Sequence, residues 1–263
     1  MDNPELTARY QHAIDIAREA GLHTLQFFQH PDLAVELKSD ASPVTIADRQ
    51  AEELLRRRIA EKFPDDAILG EEFGEQRGTS GYRWILDPID GTKSFVHGVP
   101  LYGTLVAVEH DERSVIGVIY LPALDEGVYA ATGLGAWHVR GNAPPQAARV
   151  SNVATLRESL LLASEIRFPT PRRQQTLLDL AQATRINRTW GDCYGYLLVA
   201  TGRAEVMLDP IMALWDVACL QPILEEAGGT LTDWQGNSTI YSAEAIATNG
   251  KVLDEVLGIV GSD

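Results

Sequence analysis

The sequence predicts a mixed α and β protein in two joined parts: an α+β first half over residues 1–145 and an α/β second half over 146–263. Three observations predict it. Two amphipathic stretches at helical spacing come first. A succession of short β-rich runs, parted by Gly, Pro and charged turns, follows from residue 67. Beyond a turn-rich joint the two kinds of element alternate. A chain of 263 residues can bury a substantial core.

The elements follow in order. Leu6, Tyr10, Ala13, Ile14, Ala17, Leu25 and Phe28 share one stripe, so residues 6–28 are expected to be an amphipathic helix. The turn-forming stretch "ELKSDASPVTIADRQ" leads to a second helix carrying Ala51, Leu54, Leu55, Ile59 and Phe63. Thr45 is its expected N-cap, with Asp48 three residues on in a capping-box pattern. The runs "AILG", "RWILD", "LVAVEH", "SVIGVIYLP", "GVYAAT" and "AWHV" read as strands. After "GNAPPQAARVSNV", "SLLLAS" reads as strand, 172–184 as helix, "GDCYGYLLVATG" as helix and "AEVMLD" as strand. Residues 214–227 read as helix, "GTLTDW" as strand and 251–260 as a closing helix. There are no internal repeats and no low-complexity tract.

Composition excludes several classes. The net charge of −15 opposes a duplex-binding surface, which needs clustered Lys and Arg, so no nucleic-acid partner is expected. The basic runs "LRRRIAEK" and "PTPRRQQ" are short and read as solvated helix faces. No apolar run approaches a membrane span, and the acidic-leaning N-terminus lacks the uncharged core of a secretory signal, so a cytoplasmic protein is expected. Cys193 and Cys219 form no CxxC and are expected to be buried thiols.

The chemistry concentrates in "WILDPIDGTKSFVHG". The strand "RWILD" delivers Asp87 to a strand end, and Pro88, with its fixed φ and missing donor, is expected to turn the chain. Asp90 follows, Gly91 permits close backbone approach, and Thr92 to Ser94 can open a helix with outward N–H groups. Two carboxylates beside free N–H groups suit a hard divalent cation and the phosphate it bridges. The plainer reading is an Asx-turn with Asp90 capping a helix. Glu71 and Glu72 end a strand in "AILGEEFGE", where a solvated loop is the plainer reading. Asp216 lies near the start of the helix in "LWDVACL", where a helix N-terminus alone would account for it, as for Asp48. The six histidines, at 12, 23, 30, 97, 110 and 138, show no metal-ligand spacing, and His97 is expected to be structural.

Taken together, "KSDASPVTIAD", "GEE", "WILDPIDGT" and "WDVA" resemble, in order and spacing, the inositol monophosphatase family of metal-dependent, lithium-sensitive phosphatases. The resemblance runs from about residue 38 to 229. It implies the layered αβαβα sandwich of the inositol monophosphatase and fructose bisphosphatase type, with most metal ligands in the first half and the specificity residues and Asp216 in the second. It implies two to three Mg²⁺ ions, with Mn²⁺ able to substitute. Glu71, Asp87 and the carbonyl of Ile89 would hold one, Asp87, Asp90 and Asp216 a second, and Glu71 with water a third. Thr92, hydrogen-bonded to Asp48, would orient the attacking water, with Glu71 also in the catalytic set. Asp90 and the N–H groups of Gly91 and Thr92 would meet the phosphate, and Lys38 would ride on the loop over the metals. A homodimer is a common family assembly, though no interface is legible here. Bottom-up chemistry agrees: oxygen-only ligands favour Mg²⁺ or Mn²⁺ over Zn²⁺, and paired ions offset phosphoryl charge.

For the leaving group the resemblance points to Asp192, Asp209 and Asp216. Two carboxylates beyond those needed for metal suit a cationic substrate, although Asp192 could simply cap its helix. "GEEFG" and "WGDCYGY" look like the histidinol-phosphate phosphatase branch, which implies hydrolysis of L-histidinol phosphate in histidine biosynthesis. Inositol-1-phosphate is the alternative ester. Adenosine 3',5'-bisphosphate and fructose 1,6-bisphosphate would want more Lys or Arg for a second phosphate. A non-catalytic regulatory or RNA-associated module on the same scaffold would be expected to lack some of these acids, and all are present.

Overall fold

The computed structural model describes residues 3–38 and 42–261. Helix α1 (Pro4–Thr24) starts where the Asn3 side chain accepts the N–H groups of Glu5 and Leu6, with Pro4 in the first turn. It ends four residues short of the expected limit. The Thr24 hydroxyl bonds back to the Gly21 carbonyl at 2.7 Å, and Phe28 leaves the stripe to pack, with Phe27, near Phe95 and Tyr102. Strands β1 (Val35–Leu37) and β2 (Pro43–Thr45) pair as an antiparallel hairpin where the sequence suggested only turns. Residues 39–41, between them on the expected lysine-bearing loop, lie outside the described residues. Helix α2 (Ile46–Lys62) opens with the expected capping box: Asp48 accepts the Thr45 N–H at 2.8 Å.

The large sheet then forms from β3 (Ala67–Gly70), β4 (Gly74–Gln76), β5 (Tyr82–Asp90), β6 (Gly103–His110), β7 (Arg113–Leu121), β8 (Glu126–Ala131), β9 (Gly135–Arg140) and β10 (Gln146–Ala147), with the short helix α3 (Thr92–Val96) after β5. Its order is β10-β9-β8-β7-β6-β5-β3-β4, antiparallel except for β3 beside β5. The chain continues through β11 (Leu160–Ala163), α4 (Pro171–Ala183), β12 (Ile186–Arg188), α5 (Asp192–Ala200), β13 (Val206–Asp209), α6 (Leu214–Val217), α7 (Leu220–Ala227), β14 (Thr230–Thr232), β15 (Ala245–Thr248) and α8 (Leu253–Val260). These strands make a second sheet in the order β12-β11-β13-β15-β14. The single helix expected over 214–227 is two, because Pro222 has no N–H to offer the Ala218 carbonyl.

Alternation along the strands builds five layers. On one face of the large sheet Trp84, Leu86, Val106 and Val108 pack on Ala17 of α1 and Leu55 of α2. On the other, Ile85, Leu105 and Ile119 meet Leu197 of α5, Leu224 of α7, and Leu162 and Met207 of the small sheet. The far face of the small sheet, with Val206 and Ile246, is covered by Leu180 of α4 and Val256 of α8. The order is α, β, α, β, α, as the family resemblance implied. The middle helices are therefore pressed between two sheets, and the starts of α5 and α6 are held against the end of β5. Cys193 and Cys219 are free and buried in this layer. Among the described residues, no helix is long and apolar enough to cross a membrane.

One contact sets the seat of α6. A Cβ at Gly117 on β7 would lie 2.0 Å from the Cys219 carbonyl oxygen, between α6 and α7. Backbone cannot rotate away as a side chain can. Gly117→Ala is expected to destabilise the fold by about 3 kcal/mol, measured by urea unfolding, and to weaken divalent-cation binding by shifting the start of α6.

Candidate active site

The opening question of the site is how two aspartates three residues apart face the same way. On a regular strand Asp87 and Asp90 would point to opposite faces. The register between β5 and β6 slips: Asp87 pairs with Leu105 and Asp90 with Gly103, so three steps on one strand match two on its neighbour. This extra residue brings both carboxylates to the inner face. Pro88, expected to turn the chain, sits within this irregularity instead. It needs no ladder donor there, and its carbonyl accepts the Thr104 hydroxyl at 2.9 Å.

Each acid is held by a main-chain donor. Asp87 accepts the Ile89 N–H at 3.0 Å, Asp90 the Cys193 N–H at 2.5 Å, and Asp216 the Ala213 N–H at 2.7 Å. Asp90 does serve as a helix cap, as the plainer reading had it, but for α5 in the other half of the chain. One oxygen from each of Asp87, Asp90 and Asp216 lies within 4.8 Å of the others. Glu71, just after β3, adjoins Asp87, and its carboxylate is met by Lys38 Nζ at 2.7 Å. Lys38 also reaches Glu72 at 2.6 Å. The turn carrying both glutamates is fixed from below by Glu52 of α2, wholly buried, which accepts the Glu72 N–H at 2.7 Å and Arg56 Nε at 2.7 Å.

Burial governs the electrostatics. It pushes Asp87 and Asp90 well above the usual carboxylate range, and neighbouring acids push further: Glu71, Asp90 and Asp216 on Asp87, Asp192 and Asp216 on Asp90. Burial also raises Glu71, against the pull of Lys38, and lifts Asp216 to about 7. A set of crowded, desolvated carboxylates with no sulfur or imidazole donor among them fits a hard divalent cation.

Gly91 has φ of 83°, which glycine tolerates, and a Cβ there would come within 3.0 Å of Asp192 Oδ2. Thr92 opens α3, and its hydroxyl donates to the Ile89 carbonyl at 3.1 Å. The expected Thr92–Asp48 hydrogen bond is not formed in this structure. Asp48 Oδ2 instead accepts both the N–H and the hydroxyl of Thr45, at 2.8 and 2.7 Å, with burial raising the carboxyl to about 6. Among the described residues, the His97 ring bonds its own helix, at the Lys93 carbonyl.

The opposite wall comes from the small sheet. Asp209 ends β13 and is 4% exposed. It accepts the Tyr196 hydroxyl at 2.9 Å and the Ser164 N–H at 3.3 Å. Asp192 opens α5 with φ of 53°, gives its N–H to Ser164 Oγ at 2.9 Å, and forms no side-chain cap of its own helix. Burial, and then Asp209, raises it to about 6. A cavity of about 260 Å³ runs between Asp90, Asp192, Asp209 and Asp216. It adjoins a second, of about 540 Å³, lined by Glu71, Asp87, Ile89, Gly91 and Thr92. Sequence reasoning missed Glu52, Ser164 and Tyr196. Ser164 carried a signal, as a polar residue ending the apolar strand "LLLA".

Comparison with known proteins identifies the chain's relatives. The model of the "Inositol monophosphatase family" matches residues 5–259. The chain is 42% identical to a histidinol-phosphatase of Chlorobaculum parvum, covering 98% of each chain, and 38% identical to a histidinol-phosphatase of Mycobacterium tuberculosis, covering 93% of this chain and 95% of that one. It superposes with a TM-score of 0.89 on the crystal structure of the extragenic suppressor protein SuhB from Bartonella henselae, at 29% identity over 96% of this chain and 98% of that one.

The raised carboxyls tie stability to pH. A folded-state pKa above the unfolded value favours the folded form when protonated, so this contribution is present below the unfolded pKa near 4 and lost as pH rises through about 6 to 7. In chelator, the melting temperature at pH 8 is expected to rise by about 3 °C in Asp216→Asn, corresponding to about 1 kcal/mol in a chain of this length. In saturating divalent cation the order is expected to reverse. Thermal melts at pH 6 and 8, with and without cation, test both statements.

Proposed function

Because the chain belongs to the inositol monophosphatase family, a family of metal-dependent phosphatases, we propose that it is a Mg²⁺-dependent phosphoric monoester hydrolase. Its substrate in this reading is L-histidinol phosphate, released as L-histidinol and phosphate in histidine biosynthesis. The observation that carries the substrate is the pair of carboxylates, buried Asp209 and partly buried Asp192, lining the cavity beside the metal acids. Identity to the two histidinol-phosphatases supports it.

Glu71, Asp87, Asp90, Asp216 and the Ile89 carbonyl would hold Mg²⁺, or Mn²⁺ in its place. When bound, the ions offset phosphoryl charge and lower the pKa of a coordinated water. The rest of the chemistry falls to the chain. The N–H groups of Gly91 and Thr92 open α3 and orient the phosphate oxygens for in-line displacement. In this reading the Thr92 hydroxyl, by turning from the Ile89 carbonyl, takes up the attacking water, and Asp48, in the first turn of α2, serves as an acceptor for the proton. Lys38 offsets part of the charge of Glu71 and Glu72.

On the leaving-group side, an ammonium beside the ester carbon would form charge-assisted hydrogen bonds to Asp192 and Asp209. Tyr196 and the Ser164 N–H hold Asp209 in place, so the acceptor is oriented before substrate arrives. A neutral polyol such as inositol gains less from two carboxylates, which ranks inositol-1-phosphate second.

Phosphate release from both esters in Mg²⁺ is expected to stop in Asp90→Asn. Asp209→Asn is expected to lower kcat/KM for histidinol phosphate about 10- to 150-fold more than for inositol-1-phosphate. That range corresponds to losing a charged hydrogen bond of about 1.5–3 kcal/mol. Equal losses on the two esters would remove the ammonium from the reading.

A further inference from the structure

The wall that holds Asp192 and Asp209 continues into one more acid. Glu165 follows Ser164, the residue whose hydroxyl and N–H tie both aspartates. Its side chain crosses the cleft and meets Lys93 of α3, with Nζ 2.5 Å from Oε1. Lys93 and Glu165 line both cavities, so their ion pair spans the opening that a phosphate ester must occupy. Both side chains are largely exposed, 71% and 51%, and an exposed ion pair contributes little to stability. The link can therefore open at small cost.

We propose that Glu165 is a specificity residue that accepts a hydrogen bond from a second nitrogen group of the leaving alcohol, a flat N–H-bearing ring, and that Lys93 holds its place in the free enzyme. The inference rests on the amino-alcohol substrate proposed above and adds the part of it that the two aspartates leave unrecognised. Asp209 is buried deep and already takes two donors, so it suits the amine next to the ester carbon. Glu165 stands farther out, yet near enough for its charge to act on both Asp192 and Asp209. Ile211 and Met212 line the same cavity, and Ile211 is 71% exposed. Apolar side chains and the outermost carboxylate on one cavity wall suit a heteroaromatic ring, which needs an apolar contact for its face and an acceptor for its N–H. Opening the pair exchanges one N–H···O contact of Glu165 for another.

The test compares kcat/KM in Mg²⁺ for L-histidinol phosphate and for 2-aminopropyl phosphate, which keeps the amine and lacks the ring. Glu165→Gln is expected to lower the ratio of the two values about tenfold, with the loss residing in KM for the ring-bearing ester. Lys93→Met, which removes the competitor, is expected to hold or raise that ratio. An unchanged ratio in Glu165→Gln, with both esters losing alike or neither losing, overturns the assignment, as does a fall in Lys93→Met. The two levels fail separately. If wild-type enzyme turns over neither amino-alcohol ester, the substrate reading itself falls. If it prefers the ring and Glu165→Gln keeps that preference, only Glu165 is wrongly placed.

Discussion

The structure is organised around a concentration of like charge. Asp87, Asp90 and Asp216 bring oxygens within 4.8 Å of one another at the wall of a cleft, with Asp87 buried and the other two partly so. Coulomb repulsion and desolvation both oppose this, and a fold adopts it only when other contacts impose it. Here the main chain imposes it. Each carboxylate takes an N–H from the backbone, from Ile89, Cys193 and Ala213, so none can rotate away from the others without leaving a donor unpaired. The acids are preorganised by hydrogen bonds that belong to the fold and are made before any cation arrives.

The same contacts join the two halves of the chain. Asp90 stands on the last residue of β5 and bonds the start of α5. Asp192 at that helix start lies against Gly91, and Asp216 reaches in from α6, seated on Gly117. The cleft is thus the seam between the sheets. The bulge in β5, the glycine at each close approach and the short α6 are parts of one arrangement, and a change in any of them displaces a carboxylate. Electrostatic preorganisation of this kind is what phosphoryl transfer asks of a protein, since little covalent chemistry is left for side chains to do.

Much of this was legible in the sequence, and the reasons are specific. Strands β3, β5 to β9, β11 and β13 announce themselves by apolar runs between turn formers, and the Thr45–Asp48 capping box by its spacing. The acids of the cluster stand at strand ends and helix starts, where sequence reasoning looks for them. What escaped depends on contacts far apart in the chain. The hairpin of β1 and β2 has all three β1 residues exposed, so no alternation marks it. The edge strands β4, β10 and β12 are two or three residues long and exposed throughout, too short for a period to register. Glu52 looks like one more helix acid until its partners, the backbone of the Glu71–Glu72 turn, are known. Pro88 reads as a turn because its missing donor is visible, while the register slip that accommodates it is not.

Ser164 serves two acids at once. Its hydroxyl and its N–H suspend Asp192 and Asp209 from a loop of the small sheet, whereas Glu71, Asp87 and Asp90 belong to the large one. The second half nevertheless carries part of the acid cluster too, since Asp90 depends on the Cys193 N–H and Asp216 on the Ala213 N–H. A change at the start of α5 is therefore felt on both walls of the cleft, at Asp90 as well as at Asp192.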